Sequence, residues 1–286
     1  LINKFQLVSR EEFEMLKKLE LPMDSYKSLM QHCSNNDITF LSTPYNEEDV
    51  DFLDDLGVPA FKLASICAAE PQFVNYVAKK GKPVILSTGM ATLEEVREVV
   101  SAFTETGNKD LILLQCTTNY PSMIEDTNLR AMVTMRETLG AVIGYSDHTQ
   151  DDTACIASVA LGATVIEKHF TVDKNLSGPD QSSSYDPIEF KRLVGYIRKA
   201  EIALGSTSKE PCEIEKKNAI GMRRSLVAKV DIEQNTVITT DMVTLKRPAT
   251  GLKPSLINEV VGKKAERFIA KDSLIKIDDL KQWEYK

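Results

Sequence analysis

Two of the three histidines, His148 and His169, end short apolar runs of strand character. AVIGY runs into Ser146-Asp147-His148, and TVIEK runs into His169. Between them ACIASVALGA is apolar and helical and stops at Gly162, which gives a strand–helix–strand order. Side chains alternate along a strand, so Ser146 shares a face with His148, and Glu167 shares one with His169. Parallel neighbours lie roughly 5 Å apart, so the two imidazoles can meet at one metal ion. Two imidazoles completed by water or substrate oxygens suit a divalent ion of the manganese, magnesium or zinc kind. Such a site is weak and exchangeable, and fits a Lewis acid that grips a carbonyl. The third histidine, His32, has no polar partner in sequence and reads as a surface or helix-end residue.

Other apolar runs also end in polar residues: Ser42-Thr43, Lys62 and Ser65, Ser87-Thr88-Gly89, and Thr117-Thr118. Hydroxyls and a lysine gathered at one rim, with free N–H groups at helix starts, make a site for phosphate or carboxylate. Several of the hydroxyls read equally well as helix caps, and Lys62 as half of a structural ion pair. Gly178-Pro179-Asp180 is either a simple β-turn or a carboxylate held over that rim.

These residues need a frame. ITFLSTPY, AFKLAS, PVILSTG, LILLQCTTNYP, AVIGYSDH and TVIEKHFT read as strands, with helices between them. Asn46 and Gly57 bound one helix, Thr92 and Glu95 form a capping box for another, and Asp24 is placed to cap an earlier one. About six strand–helix units predict an α/β fold with a parallel sheet, best a (β/α)8 TIM-type barrel that is incomplete at its N-terminus. An open doubly wound sheet fits less well, because no GxGxxG follows any strand. The barrel is expected over residues 1–204 and a polar linker over 205–221. A small, mostly β domain is expected over 222–286, too small to stand alone with ease.

The 286 residues carry a formal charge of −7 and no basic patch, which argues against a nucleic-acid partner. No apolar run approaches the ~20 residues that cross a membrane. The cysteines (Cys33, Cys67, Cys116, Cys155, Cys212) are odd in number and lack CxxC spacing, which points to reduced thiols and a cytoplasmic protein.

FLSTPY, FKLAS, ILSTGMAT, QCTTNYP, IGYSDH, IEKHFT, GPD and LKRPATG, in that order, resemble the sialic acid synthases. That family includes the N-acetylneuraminate, legionaminate and pseudaminate synthases and spore-coat relatives. The second domain resembles the antifreeze-like (SAF) domain of these enzymes. The resemblance implies a transferase that condenses phosphoenolpyruvate with N-acetylmannosamine or a related N-acyl amino sugar. The products are a nine-carbon 2-keto acid and phosphate. It also implies a manganese or magnesium cofactor and a domain-swapped homodimer.

Residue by residue, His148 and His169 match the metal ligands, and Lys62, Ser65, Ser87, Thr118 and Ser146 match the phosphoenolpyruvate contacts. Tyr120, Glu167 and Asp180 match sugar-side positions. Arg247 matches the arginine that the second domain sends to the N-acyl group. Lys62, Glu167, His148 and His169 are the catalytic set. In the implied reaction C3 of phosphoenolpyruvate attacks the open-chain aldehyde, water captures C2, and phosphate leaves with C–O cleavage. Family members begin with a strand carrying AEIG-x-NH/NG and a second ending in VKFQ. Neither is present, and Cys67 stands where the family usually has Glu. The chain is therefore expected to be a synthase, shortened as a fragment of a longer protein, with a degenerate relative that binds or assembles without catalysis as the alternative. On its own it is expected to be poorly soluble, with little synthase activity.

Overall fold

A computed structural model describes residues 10–281. It divides at Gly205/Ser206 into two compact units.

In the first unit α1 (Arg10–Leu19), α2 (Ser25–Asn35) and α3 (Glu47–Leu56) precede a regular alternation. This runs β1 (Phe61–Leu63), α4 (Pro71–Ala78), β2 (Val84–Ser87), α5 (Leu93–Thr104), β3 (Leu111–Cys116), α6 (Arg130–Leu139), β4 (Val142–Asp147), α7 (Thr153–Ala160), β5 (Ile166–Lys168) and α8 (Pro187–Leu204). The five strands form one parallel sheet in sequence order. Their apolar runs are buried because helices cover the sheet. Phe61, Leu63, Val84, Leu86, Leu113, Ile143 and Tyr145 pack with Val74, Val77, Val99, Phe103, Met132 and Cys155 in one core. Each large side chain fully buried here contributes about 1.5–3 kcal/mol.

The sheet is curled into a half-barrel. β1 and β5 are four strand spacings apart, about 19 Å in a flat sheet. Yet Lys62 on β1 reaches Glu167 on β5 at 3.3 Å. Two side chains cannot span the flat distance, so the sheet must bend to bring its outer strands together.

The helix ends follow the local chemistry. The Asn46 side chain accepts from the Asp49 N–H, and Gly57 adopts φ 86° to close α3. Thr92 and Glu95 form the reciprocal capping box that opens α5. Asp24 differs from expectation: it is itself helical and makes no side-chain cap bond. Ile38–Tyr45, expected as a strand, has no ladder partner among the described residues and is not one. A strand exists only through its neighbours' hydrogen bonds, and among the described residues β1 bonds only to β2.

In the second unit α9 (Glu213–Met222) leads into β6 (Ser225–Ala228) and β7 (Val243–Lys246), which pair antiparallel, followed by α10 (Ile257–Val260). Single bridges such as Ile232 to Ile269 and Val237 to Lys264 add further β character. Leu226, Ile232, Ile238, Val260, Ile269 and Ile275 form its core. The segment 205–221, expected as an extended linker, is helical from Glu213 onward. Glu215 reaches back to the Cys212 N–H at 3.0 Å and Lys216 pairs with Glu213, so local bonds replace an apolar face.

Candidate active site

The polar residues converge where the strands end. Lys62 sits in the middle of β1, with its ammonium turned to the C-terminal side. It donates to Ser87 Oγ at 2.9 Å and to the Leu63 carbonyl at 2.9 Å. Ser87 Oγ in turn donates to Glu167 Oε2 at 3.2 Å. Lys62, Ser87 and Glu167 thus close a triangle across β1, β2 and β5.

Beside it lies a cluster of hydroxyls. Gly89 donates its N–H to Ser65 Oγ at 3.0 Å. A Cβ on Gly89 would meet Thr118 Oγ1 at 2.2 Å and Ser65 Oγ at 2.9 Å, so only glycine lets Ser65 and Thr118 approach. The Cys116 thiol lies near the Ser65 and Ser146 hydroxyls, and its burial raises its pKa. Cys116 pairs in register with Ser146, which pairs with Glu167.

The histidines flank this cluster. The His148 and His169 ring centroids are 5.1 Å apart. Tyr120 covers both, at 4.0 Å from His148 and 5.2 Å from His169. His148 is buried, which depresses its pKa and keeps the ring neutral. Nδ1 donates to the Thr117 carbonyl at 2.7 Å, which leaves Nε2 with a free lone pair. His169 Nδ1 lies 3.7 Å from Asp180 Oδ2. Burial pushes the Tyr120 phenol up to about 12, so it stays a neutral donor.

These donors fit a divalent ion only in part. No group of three or more His, Cys, Asp or Glu among the described residues could hold one. Two imidazoles at this spacing can share one ion, with N–metal bonds of about 2.1 Å. A carbonyl thread fixes the tautomer of one of them, as expected of a metal ligand. The remaining positions would fall to water or substrate.

Of the barrel residues singled out in the sequence, Lys62 and Glu167 lie within β1 and β5, Ser87 and Ser146 at or next to the ends of β2 and β4, and Ser65, Thr118, Tyr120, His148, His169 and Asp180 in the segments that follow the strands. Arg247 is exposed in the second unit, just after β7. Cys67 is buried, and desolvation lifts its thiol to about 11, with Lys62 near enough to oppose the shift. Sequence reasoning missed three features. Cys116 forms part of the floor. Ser122 Oγ is buried without a partner among the described residues, next to an N–H that donates to the His148 carbonyl at 2.9 Å. Asp147 and Lys168 form a buried ion pair at 2.6 Å. Strand alternation turns both of these side chains away from the histidines, but their pairing needs the register of β4 on β5.

A model of the NeuB family matches residues 3–209, and an SAF-domain model matches residues 223–281. The chain belongs to the NeuB family. This NeuB-family chain is 41% identical over 267 residues to the N,N'-diacetyllegionaminic acid synthase of Campylobacter jejuni serotype O:2, covering 93% of the chain and 80% of that protein. It is 38% identical over 272 residues to the pseudaminic acid synthase of C. jejuni serotype O:23/36, covering 95% of the chain and 79% of that protein. In structure it resembles a spore coat polysaccharide biosynthesis protein E from Chromobacterium violaceum, with TM-score 0.80 and 27% identity. That match covers 98% of this chain and 84% of the other. Among its described residues, no helix of the NeuB-family chain is long and apolar enough to cross a membrane.

Proposed function

We propose that this chain is a sugar-acid synthase that condenses phosphoenolpyruvate with an open-chain N-acyl amino sugar such as N-acetylmannosamine. The observation that carries this reading is the Lys62–Ser87–Glu167 triangle beside the paired His148 and His169 rings. One half suits an anion and the other a carbonyl. The synthases among its relatives support the same reading.

In this account Lys62 pairs with a carboxylate or phosphate oxygen of phosphoenolpyruvate. The hydroxyls of Ser65, Ser87, Thr118 and Ser146 supply further hydrogen bonds. Holding both anionic groups fixes the C2–C3 double bond before the partner arrives, and orientation of this kind supplies much of the rate. His148 and His169 would hold a manganese or magnesium ion, which when bound polarises a carbonyl oxygen. Glu167, Tyr120 and Asp180 line the sugar side. Glu167 is already bonded to Ser87, so a sugar hydroxyl that reaches it is tied to the phosphoenolpyruvate site. As C3 adds to the aldehyde carbon, water adds at C2 and phosphate departs with the C2 oxygen.

The proposal extends to a homodimer in which Arg247 of one chain serves the barrel of the other. The second unit carries 16 Lys and Arg against 12 Asp and Glu, while the whole chain is at −7, so it is the basic partner of an acidic barrel. Arg247 suits an amide or carboxylate oxygen on the sugar.

The test is mass-spectrometric detection of the nine-carbon keto acid after incubation with phosphoenolpyruvate, Mn2+ and N-acetylmannosamine or a diacetamido relative. Product with one of these sugars supports the reading. No product from any of them, with phosphoenolpyruvate still bound, would favour a binding role. The resemblance, which sets Cys67 where family members usually carry Glu, points that way.

A further inference from the structure

We propose that the buried Asp147–Lys168 pair is a positioning device that sets the separation of His148 and His169. The inference rests on the two-histidine reading above. It assigns a task to two residues that touch neither the anion pocket nor the sugar side.

Asp147 and Lys168 are register partners on β4 and β5. Each immediately precedes one of the histidines. Their side chains point to the helix-covered face, where they are 0% and 2% exposed, and pair at 2.6 Å. Every capacity of the pair is used. Asp147 accepts from the Tyr145 hydroxyl at 3.0 Å, the Thr149 N–H at 2.9 Å, the Thr149 hydroxyl at 3.2 Å and the Cys155 thiol at 3.2 Å. Lys168 also donates to the Thr149 carbonyl and lies 4.1 Å from the Tyr185 ring centroid.

The consequence is a clamp on both histidine backbones. His148 is held between Asp147 and Thr149, and Lys168 binds both of them from the neighbouring strand. His169 is held on its other side by Tyr185, whose N–H donates to the His169 carbonyl at 2.9 Å. Tyr185 is itself fixed through its hydroxyl to Asp152 at 2.9 Å, which Arg192 holds at 2.9 Å. Desolvation offsets much of what a buried ion pair adds to stability, so such a pair is weak evidence for stabilisation. What a fully satisfied pair does supply is one fixed geometry. A site with only two protein ligands has no third ligand to correct a misplaced ring, so the strand ends must do it.

Charge and geometry predict opposite signs. Removing the Lys168 ammonium removes a cation near a cation site, and electrostatics alone would tighten metal binding. Positioning predicts weakening. The experiment is titration of the 286-residue protein with Co2+, followed by its visible absorption bands. The variants are Lys168→Met, the apolar double Asp147→Leu/Lys168→Met, and Arg198→Ala as a control, an exposed side chain on α8 that pairs with Glu201 at 2.8 Å. Thermal melts check that each is folded, and the double variant replaces both charges should the single one fail to fold. Wild type and Arg198→Ala should bind alike. Lys168→Met and the double variant should bind at least tenfold more weakly with altered bands. Unchanged or tighter binding in both Lys168 variants would overturn the inference, as would equal weakening in Arg198→Ala. No Co2+ binding by wild type would overturn the two-histidine site itself, and the inference with it.

Discussion

Gly89 and Thr118 approach so closely that one methyl group on the glycine would stand 2.2 Å from the threonine hydroxyl. The same methyl would press on Ser65 Oγ at 2.9 Å. Two of the hydroxyls proposed for the anion pocket are therefore placed by the absence of a side chain. Gly89→Ala should leave the far-ultraviolet dichroism unchanged and weaken phosphoenolpyruvate binding at least tenfold, about 1.4 kcal/mol. Calorimetric titration reads this directly, and equal affinity would remove Ser65 and Thr118 from the pocket.

Lys62 carries the charge of that pocket. It is partly buried, with its donors spent on Leu63, Ser87 and Glu167. Lys62→Met should weaken binding of phosphoenolpyruvate and of inorganic phosphate by more than tenfold. Glu167→Gln should leave phosphate binding intact or tighter, because it removes a competing carboxylate. A Lys62→Met protein that binds as wild type does would place the anion elsewhere.

The thiols should separate by burial. Cys212 is exposed, whereas Cys67, Cys116 and Cys155 are buried. Burial lifts the Cys67 thiol to about 11 and raises those of Cys116 and Cys155. The thiolate is the reactive form, so iodoacetamide at pH 8 should label Cys212 first. The three buried cysteines should react only after unfolding, as read by mass spectrometry of digested protein. Fast labelling of Cys67 would show that the strand ends open in solution.

The last barrel helix should show a pH signature. Asp186 accepts from the Ile188 and Glu189 N–H groups at 2.8 Å each. Glu189 bonds to Lys174, which lowers its pKa, as does its bond to the Asp186 N–H. Its folded pKa lies below its unfolded value near 4.5, so its contribution is present above that value and is lost as pH falls through the folded pKa. Glu189→Gln should flatten that acid limb in urea melts without steepening any other. Asp186→Ala should cost about 1 kcal/mol at neutral pH.

Much of the site was legible because it is local. Alternation along a strand places Ser146 with His148 and Glu167 with His169 whatever the fold. The capping box at Thr92 and Glu95 and the Asn46 cap depend on residues within one turn. What was not legible depends on contacts across the chain. The strand character of Ile38–Tyr45 is real in composition, but strand structure requires a paired neighbour. The contact between Lys62 and Glu167 exists only because the sheet curls. The Asp147–Lys168 pair needs the register of β4 on β5, which residue types alone do not set. Helix α9 was hidden by its polarity, since its stabilising bonds lie along its own surface and it buries no side chain.

The central claim is a condensation at C2 and C3 of phosphoenolpyruvate, and the fate of one oxygen tests it most directly. Phosphoenolpyruvate labelled with 18O at the C2–O–P bridge is incubated with the protein, Mn2+ and the amino sugar, and the released phosphate is analysed by mass spectrometry. The account predicts labelled phosphate, formed only when the sugar is present and lost in His148→Ala. Unlabelled phosphate, or release that does not need the sugar, would contradict it.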